Sequence, residues 1–139
     1  MIKYYTRSPF PYYIGLCTDQ KSFDKELKKM HLEEKIPILK EGVFAATHWF
    51  EVKGKDPIFI ITIDYNMIKK ENWRLSFILS AVIHEILHVW QHIKQKIGEN
   101  PVGVSEFEAY YVDHLVNEMF IDILKLFKIK NSIKRTTKK

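Results

Sequence analysis

Cysteine is nearly absent from this sequence of 139 residues, since Cys17 is the single one. One cysteine excludes an intramolecular disulfide and a zinc site built from several thiolates. Long hydrophobic runs are also lacking, because the longest stretch, Leu75 to Ile83, is too short and too interrupted to span a membrane. The first residues, MIKYYTRSPFPYY, do not contain the apolar segment of a signal peptide. We therefore expect a cytoplasmic protein that does not enter a membrane.

Acidic residues are missing from the last 15 residues, 125–139, which carry seven basic ones. The other 124 residues hold 15 basic and 17 acidic side chains, so the whole net charge of +5 comes from this tail. We expect residues 1–124 to form a single domain and residues 125–139 to be a basic helix end and tail. Such a tail is usually just solvated, and otherwise it can bind nucleic acid or another acidic partner non-specifically.

Arginine and alanine are scarce, with three and four residues against 19 lysines. This bias is typical of AT-rich coding and indicates an AT-rich bacterium or a virus, so the protein could be virus-encoded and virion-associated. It carries no information about the fold. The balance of 46% hydrophobic and 28% charged residues is that of an ordinary globular domain.

The hydrophobic spacing of the first half predicts a helix and a β-hairpin. Residues 19–34 carry apolar side chains at helical spacing, with Asp19 or Ser22 as the cap. Residues 43–52 and 58–63 are rich in β-branched and aromatic residues, and the segment KGKDP between them supplies a turn. Before the helix we expect an irregular lead-in with at most a short strand at 12–16.

The second half reads as two long helices. The first runs from about Trp73 to Ile97, and its apolar residues cover nearly all its faces, which predicts a helix buried in the middle of the domain. The second opens at Ser105 and continues for about twenty residues. Ser105 and Glu108 have the spacing of a capping box. The sequence therefore predicts an α+β domain.

The buried helix contains His84-Glu85-Ile86-Leu87-His88, the pattern HExxH. Histidines four residues apart lie on one helical face, so that two imidazoles can converge on one metal ion, for which zinc is the expected choice. The glutamate beside the first histidine can then act as general base toward the water bound to that ion. The alternative is a pair of core histidines bonded to the backbone or to Glu85.

Two histidines leave a catalytic zinc one ligand short. Lys94 stands where the metzincin pattern requires its third histidine, so that pattern is excluded. The sequence resembles the gluzincin metallopeptidases, which take a third ligand from a downstream glutamate and include ImmA/IrrE-type, SprT-like and CAAX-protease relatives. Several of these show glutamate, two residues, alanine and then Asp or Asn. This chain has Glu106-Phe107-Glu108-Ala109-Tyr110, where Tyr110 departs from that pattern.

The resemblance implies that Glu106 is the third zinc ligand and that Ala109 lets the two helices approach. Glu108 competes for the ligand role, although the capping box would give it a structural task. The resemblance covers residues 43 to about 120 and implies a zincin-like minimal domain: an N-terminal helix, a hairpin or small antiparallel sheet, the HExxH helix and the glutamate-bearing helix.

Further roles follow for the sheet and the last helix. The resemblance implies an edge strand beside the cleft that accepts a substrate peptide by β-augmentation, either 58–63 or its hairpin partner. Tyr110, Tyr111 and His114 are candidates to stabilise the oxyanion. Asp113 is a candidate to orient a ligand histidine.

The sequence is compatible with three functions. The first is a zinc metallopeptidase that acts on a peptide or protein substrate. Glu85 activates the zinc-bound water, and this water attacks a peptide bond. Glu85 then transfers the proton to the leaving amine. The second is a binding or structural protein of the same fold, such as a viral assembly component, whose site is weak or unused. The third is a nucleic-acid-associated protein that acts through the basic tail.

Overall fold

Four strands form one mixed sheet in the computed structural model, which describes residues 2–5, 12–66, 74–97 and 106–126, without the side chains of residues 97, 106 and 107. The strands are β1 (Ile2–Tyr5), β2 (Tyr13–Cys17), β3 (Ala45–Phe50) and β4 (Ile58–Ile63), in the order β1-β2-β4-β3. Strands β1 and β3 are antiparallel to their neighbours, whereas β2 and β4 run parallel.

These strands confirm the α+β class and the predicted hairpin, and they correct the expectation of an antiparallel sheet. The chain leaves β2 through a helix on one face and returns as a hairpin whose second strand joins β2, which makes that pair parallel. Strand β1 falls in the segment expected to be irregular. The hairpin turn contains Gly54 at φ +77°, a conformation that a glycine adopts without strain.

Helix α1 spans Gln20–Lys29 and covers one face of the sheet. Asp19 caps it, since its carboxylate accepts hydrogen bonds from the Ser22 amide at 2.8 Å and the Ser22 hydroxyl at 2.9 Å. The helix ends five residues earlier than predicted, because His31 takes a positive φ of 58° that breaks the helical run. Phe23 and Leu27 are buried against the sheet on this side.

Helices α2 (Leu75–Ile97) and α3 (Glu106–Leu126) cover the opposite face. The larger hydrophobic core lies between these two helices and the sheet. The helices contribute the following buried side chains to it: Ile78, Val82, Ile86, Val89, Trp90, Ile93, Tyr111, Leu115, Met119 and Ile123. The predicted caps of both helices, at residues 72 and 105, lie outside the described residues, as do residues 127–139 of the basic tail.

The prediction that α2 is buried on all sides was wrong. Leu75, Phe77 and Leu87 are each 40–43% exposed, and His84 and His88 are exposed as well. The helix packs on the sheet with one side and on α3 with another, so a third side faces outward despite its apolar residues. None of the described helices is both apolar and long enough to cross a bilayer.

Candidate metal centre

Helix α2 places His84 and His88 side by side on its outward face. Their Nε2 atoms are 3.0 Å apart and their ring centroids 4.6 Å apart. The Nδ1 atom of His88 lies 3.3 Å from the Gln91 side-chain oxygen, one further turn along the same face. Both imidazoles are exposed and pair with each other, which differs from the alternative of core histidines bonded to the backbone or to Glu85.

The spacing of these two nitrogens suits a shared metal ion. Two nitrogens that each lie about 2.0–2.1 Å from zinc in tetrahedral geometry are about 3.3 Å apart. The observed 3.0 Å between the Nε2 atoms of His84 and His88 is close to that value. Neutral imidazole is also a donor that zinc prefers. These two residues therefore fit as two ligands of one ion.

Glu85 points from α2 toward the edge strand β3 and is only 7% exposed. The Thr47 hydroxyl lies 2.7 Å from its Oε2 atom and 3.1 Å from its main-chain oxygen. The shorter distance and the charge favour donation to the carboxylate. Among the described residues, no second donor bonds this carboxylate. The predicted general base is thus held between the helix and the strand.

Strand β3 is an edge of the described sheet, whereas β4 lies inside it, so of the two strands considered for substrate binding only β3 has an edge position there. The amide of Asp64 donates to the Phe44 carbonyl, so in the alternating antiparallel pattern the residues at 46, 48 and 50 bond to β4. Ala45, Thr47 and Trp49 consequently direct their backbone N–H and C=O groups to the free edge.

A cavity of about 400 Å³ opens where β3 begins and α2 passes over it. Its wall includes the rings of Phe44 and Phe77, whose centroids are 4.9 Å apart, together with Ala81. His84 and Glu85 form its other end. The cavity is therefore continuous with the HExxH residues and with the edge strand.

The described part of the chain does not place a third ligand with His84 and His88, since no three His, Cys, Asp or Glu side chains within it are arranged so that they could hold a metal ion. Glu108 accepts hydrogen bonds from the Trp90 indole and from Lys94 at 3.3 Å, so it is engaged away from the two histidines. The Glu106 side chain lies outside the described residues, and its role as ligand stays a prediction.

Among the described residues, neither of the predicted oxyanion-stabilising residues Tyr110 and His114 forms a hydrogen bond or ion pair with the HExxH residues. Tyr110 is 72% exposed, and His114 is 3.6 Å from Glu118 one turn along α3. The third candidate, Tyr111, is buried against Trp90 at a ring-centroid distance of 5.0 Å. Ala109 is exposed rather than at the contact with α2, which differs from the expectation that it lets the helices approach.

His92, one turn beyond His88, belongs to an aromatic cluster. Its ring stacks on Trp49 of β3 at 5.1 Å, and the Lys96 ammonium lies 5.2 Å from the Trp49 ring centroid. This packing joins the end of β3 to the last turns of α2. It explains His92 as a packing residue of this strand–helix contact.

Sequence reasoning missed the contact between Thr47 and Glu85 and the cavity wall formed by Phe44 and Phe77. For Thr47 a signal existed, since residues 45, 47 and 49 share one face of a strand beside the HExxH helix. No comparable signal existed for the two phenylalanines, because one precedes a strand and the other opens a helix 33 positions later.

Comparisons of the chain with known protein families, with curated proteins and with solved structures found no match. The arrangement of the residues themselves is therefore the basis for assigning a function.

Proposed function

We propose that the protein is a zinc-dependent metallopeptidase whose site is formed by α2 and the edge strand β3. The convergence of the His84 and His88 Nε2 atoms, 3.0 Å apart on an exposed helix face, carries this proposal. An exposed pair of imidazoles contributes little to the hydrophobic core. Metal binding gives this arrangement a purpose.

His84 and His88 would hold the ion, together with Glu106 as the third ligand that the gluzincin pattern implies. Zinc bound there supplies Lewis-acid polarisation of a carbonyl and lowers the pKa of water. Glu85 takes a proton from the attacking water and returns it to the leaving amine. Thr47 holds the Glu85 carboxylate at 2.7 Å while these proton transfers occur.

The free edge of β3 supplies a place for the substrate backbone. Ala45, Thr47 and Trp49 direct backbone groups outward that pair with no strand of the described residues, and an extended peptide can satisfy them by adding a strand. Because Thr47 also bonds Glu85, a peptide on this edge lies next to the general base. The proposed substrate is consequently a peptide or an unfolded segment of a protein.

The first test is the zinc content of the purified protein, measured by elemental analysis. Wild type should hold about one zinc per chain, and His84→Ala and His88→Ala should lose it. Glu106→Ala should lose it too, whereas Glu108→Ala should keep it because Glu108 is engaged with Trp90 and Lys94. A folded wild type that refuses added zinc would contradict the proposal.

The second test separates catalysis from metal binding alone. Glu85→Gln should retain zinc and lose hydrolysis of unstructured peptides, since the amide cannot accept the proton. If the wild type holds zinc but cleaves no peptide in a complex mixture, the site is a structural or binding site. That result would favour the alternative of a non-catalytic protein with the same fold.

A further inference from the structure

An exposed apolar patch borders the proposed site at the start of β3. Phe77 is 43% exposed and Val43 is 41% exposed, and Phe44 packs on Phe77 with ring centroids 4.9 Å apart. Contiguous exposed apolar side chains are uncommon on a soluble domain and often mark a binding surface. Here they line the cavity of about 400 Å³ that ends at His84 and Glu85.

The cavity lies on the face of the sheet that α2 covers. A peptide added to β3 would direct every second side chain toward that same face. The side chains of Ala45 and Thr47 face α2, since Ala45 lines the cavity and Thr47 bonds Glu85. Residues paired across neighbouring strands direct their side chains to the same face. A peptide residue opposite Ala45 would therefore direct its side chain toward the wall formed by Phe44 and Phe77.

The chemistry of the wall selects among side chains. Apart from His84 and Glu85, which belong to the proposed site, the described lining residues are uncharged. A charged side chain placed there would lose hydration without an opposite charge to replace it. A large apolar side chain would instead remove its own surface and the two rings from water.

We infer that this cavity is a specificity subsite, which takes a large aromatic or aliphatic side chain of an extended peptide bound along β3. This inference rests on the proposed function and adds the class of substrate to it. Since His84 and Glu85 close one end of the cavity, the residue it accepts is adjacent to the bond that is cleaved. Phe77 and Phe44 are the specificity-determining residues.

A pair of small zinc-binding probes tests the subsite without requiring turnover. Acetohydroxamic acid and 3-phenylpropanohydroxamic acid carry the same chelating group, and they differ in a phenyl side chain that can reach the cavity. We expect the phenyl compound to bind the zinc-loaded wild type about tenfold more tightly, from partial burial of the ring. Isothermal titration calorimetry measures both affinities.

Two matched variants locate the effect. Phe77→Ser should reduce the preference to about one, whereas Leu75→Ser should retain it. Leu75 is 40% exposed and lies on the same helix, and it does not line the cavity, so it controls for loss of apolar surface. Equal binding of the two compounds to wild type, or an unchanged preference in Phe77→Ser, would overturn the inference.

The same experiment distinguishes failure of the proposed function from failure of the subsite alone. If neither compound binds because the protein holds no zinc, the proposed function fails and the inference fails with it. If acetohydroxamic acid binds but the phenyl group adds nothing, only the subsite is rejected. Where the wild type cleaves a proteome-derived peptide mixture, mass spectrometry should show Phe, Tyr, Leu or Met enriched at one position beside the cleaved bond. That enrichment should be weaker in Phe77→Ser than in Leu75→Ser.

Discussion

Thr47 on the edge strand β3 holds the carboxylate of Glu85 on helix α2, with 2.7 Å between the hydroxyl oxygen and Oε2. The two residues are 38 positions apart in the sequence, so the contact ties the hairpin to the HExxH helix directly at the proposed site. Because Glu85 is 7% exposed, its carboxylate has little access to water as an alternative partner. The orientation of the general base thus depends on the strand that would bind the substrate.

Replacing Thr47 by Val should remove the hydroxyl while keeping the shape of the side chain. A buried carboxylate that loses its donor costs about 1–3 kcal/mol, so the free energy of unfolding of the metal-free protein should fall by that amount. Under the proposed function, kcat should also fall about 10- to 100-fold, because the base is no longer held in place. Urea unfolding and peptide hydrolysis measure the two effects.

Thr47→Ser is the matched control, since serine retains the hydroxyl and should restore most of both quantities. The unfolding free energies of Thr47→Val, Glu85→Leu and the double variant should show coupling of about 0.5–3 kcal/mol, because leucine removes the acceptor. Additive single effects would show that the contact does not stabilise the fold. Equal rates for the Val and Ser variants would show that Thr47 does not position the base.

Much of the fold could be predicted because its elements are local. The hairpin follows from two β-branched runs around Gly54, and the cap of α1 follows from Asp19 beside a helical pattern. Strand β1 could not be predicted, because Ile2–Tyr5 is short and its pairing with β2 is decided by tertiary contacts. The exposure of one side of α2 was missed for the same reason: periodicity shows which residues are apolar, not how many neighbours a helix has.

Gly15 illustrates such a tertiary requirement in β2. A Cβ atom at this position would lie 2.9 Å from Cε1 of Tyr4, its partner in β1. Gly15→Ala should therefore lower the free energy of unfolding by about 1–3 kcal/mol, because the Tyr4 ring must move. Thermal unfolding of Gly15→Ala and of Gly15→Ala with Tyr4→Leu measures this effect. The double variant should recover part of the loss, and no recovery would place the strain elsewhere.

The residues of the candidate site that lie on one helix could be predicted from the sequence, whereas the ligand from a second helix could not. His84, Glu85 and His88 could be placed together because a helix fixes the relation between residues four apart. A ligand from a second helix depends on the loop between the helices and on their relative rotation, which a single sequence does not determine. Glu108 shows the difficulty, since it bonds Trp90 and Lys94 on α2, contacts that no pattern in the sequence indicated, whereas the cap with Ser105 that was predicted for it lies outside the described residues.

Glu108 should contribute to stability and not to metal binding. Glu108→Ala leaves the Trp90 indole without this acceptor and breaks the ion pair with Lys94, so unfolding should become easier by about 1–3 kcal/mol. Glu108→Gln keeps a hydrogen-bond acceptor and should lose less. Chemical unfolding compares the two variants, and zinc analysis should give the wild-type value for both. Loss of zinc in Glu108→Ala would transfer the ligand role from Glu106 to Glu108.

Asp122 should make the stability of the protein depend on pH. Burial acts to raise the pKa of this carboxyl, but hydrogen bonds from Lys3 at 2.6 Å and Tyr5 at 3.0 Å, with the charges of Lys3 and Lys125, hold the pKa below its ordinary value. A lowered pKa in the folded state stabilises the fold above the unfolded pKa of about 3.9, and that stabilisation is lost as the pH falls through the folded value.

Asp122→Asn should consequently lower the free energy of unfolding at pH 7 by about 1–2 kcal/mol, a modest value because Lys3 is half-exposed. The gap between the variant and wild type should shrink as the pH is lowered below about 4, where the wild-type carboxylate takes up its proton. Asp113→Asn, an exposed carboxylate on the same helix, should stay within about 0.5 kcal/mol of wild type throughout. Urea unfolding at pH 7, 5 and 3 measures all three proteins. A gap for Asp122→Asn that stays constant with pH would show that the ionised carboxylate is not what joins β1 to α3.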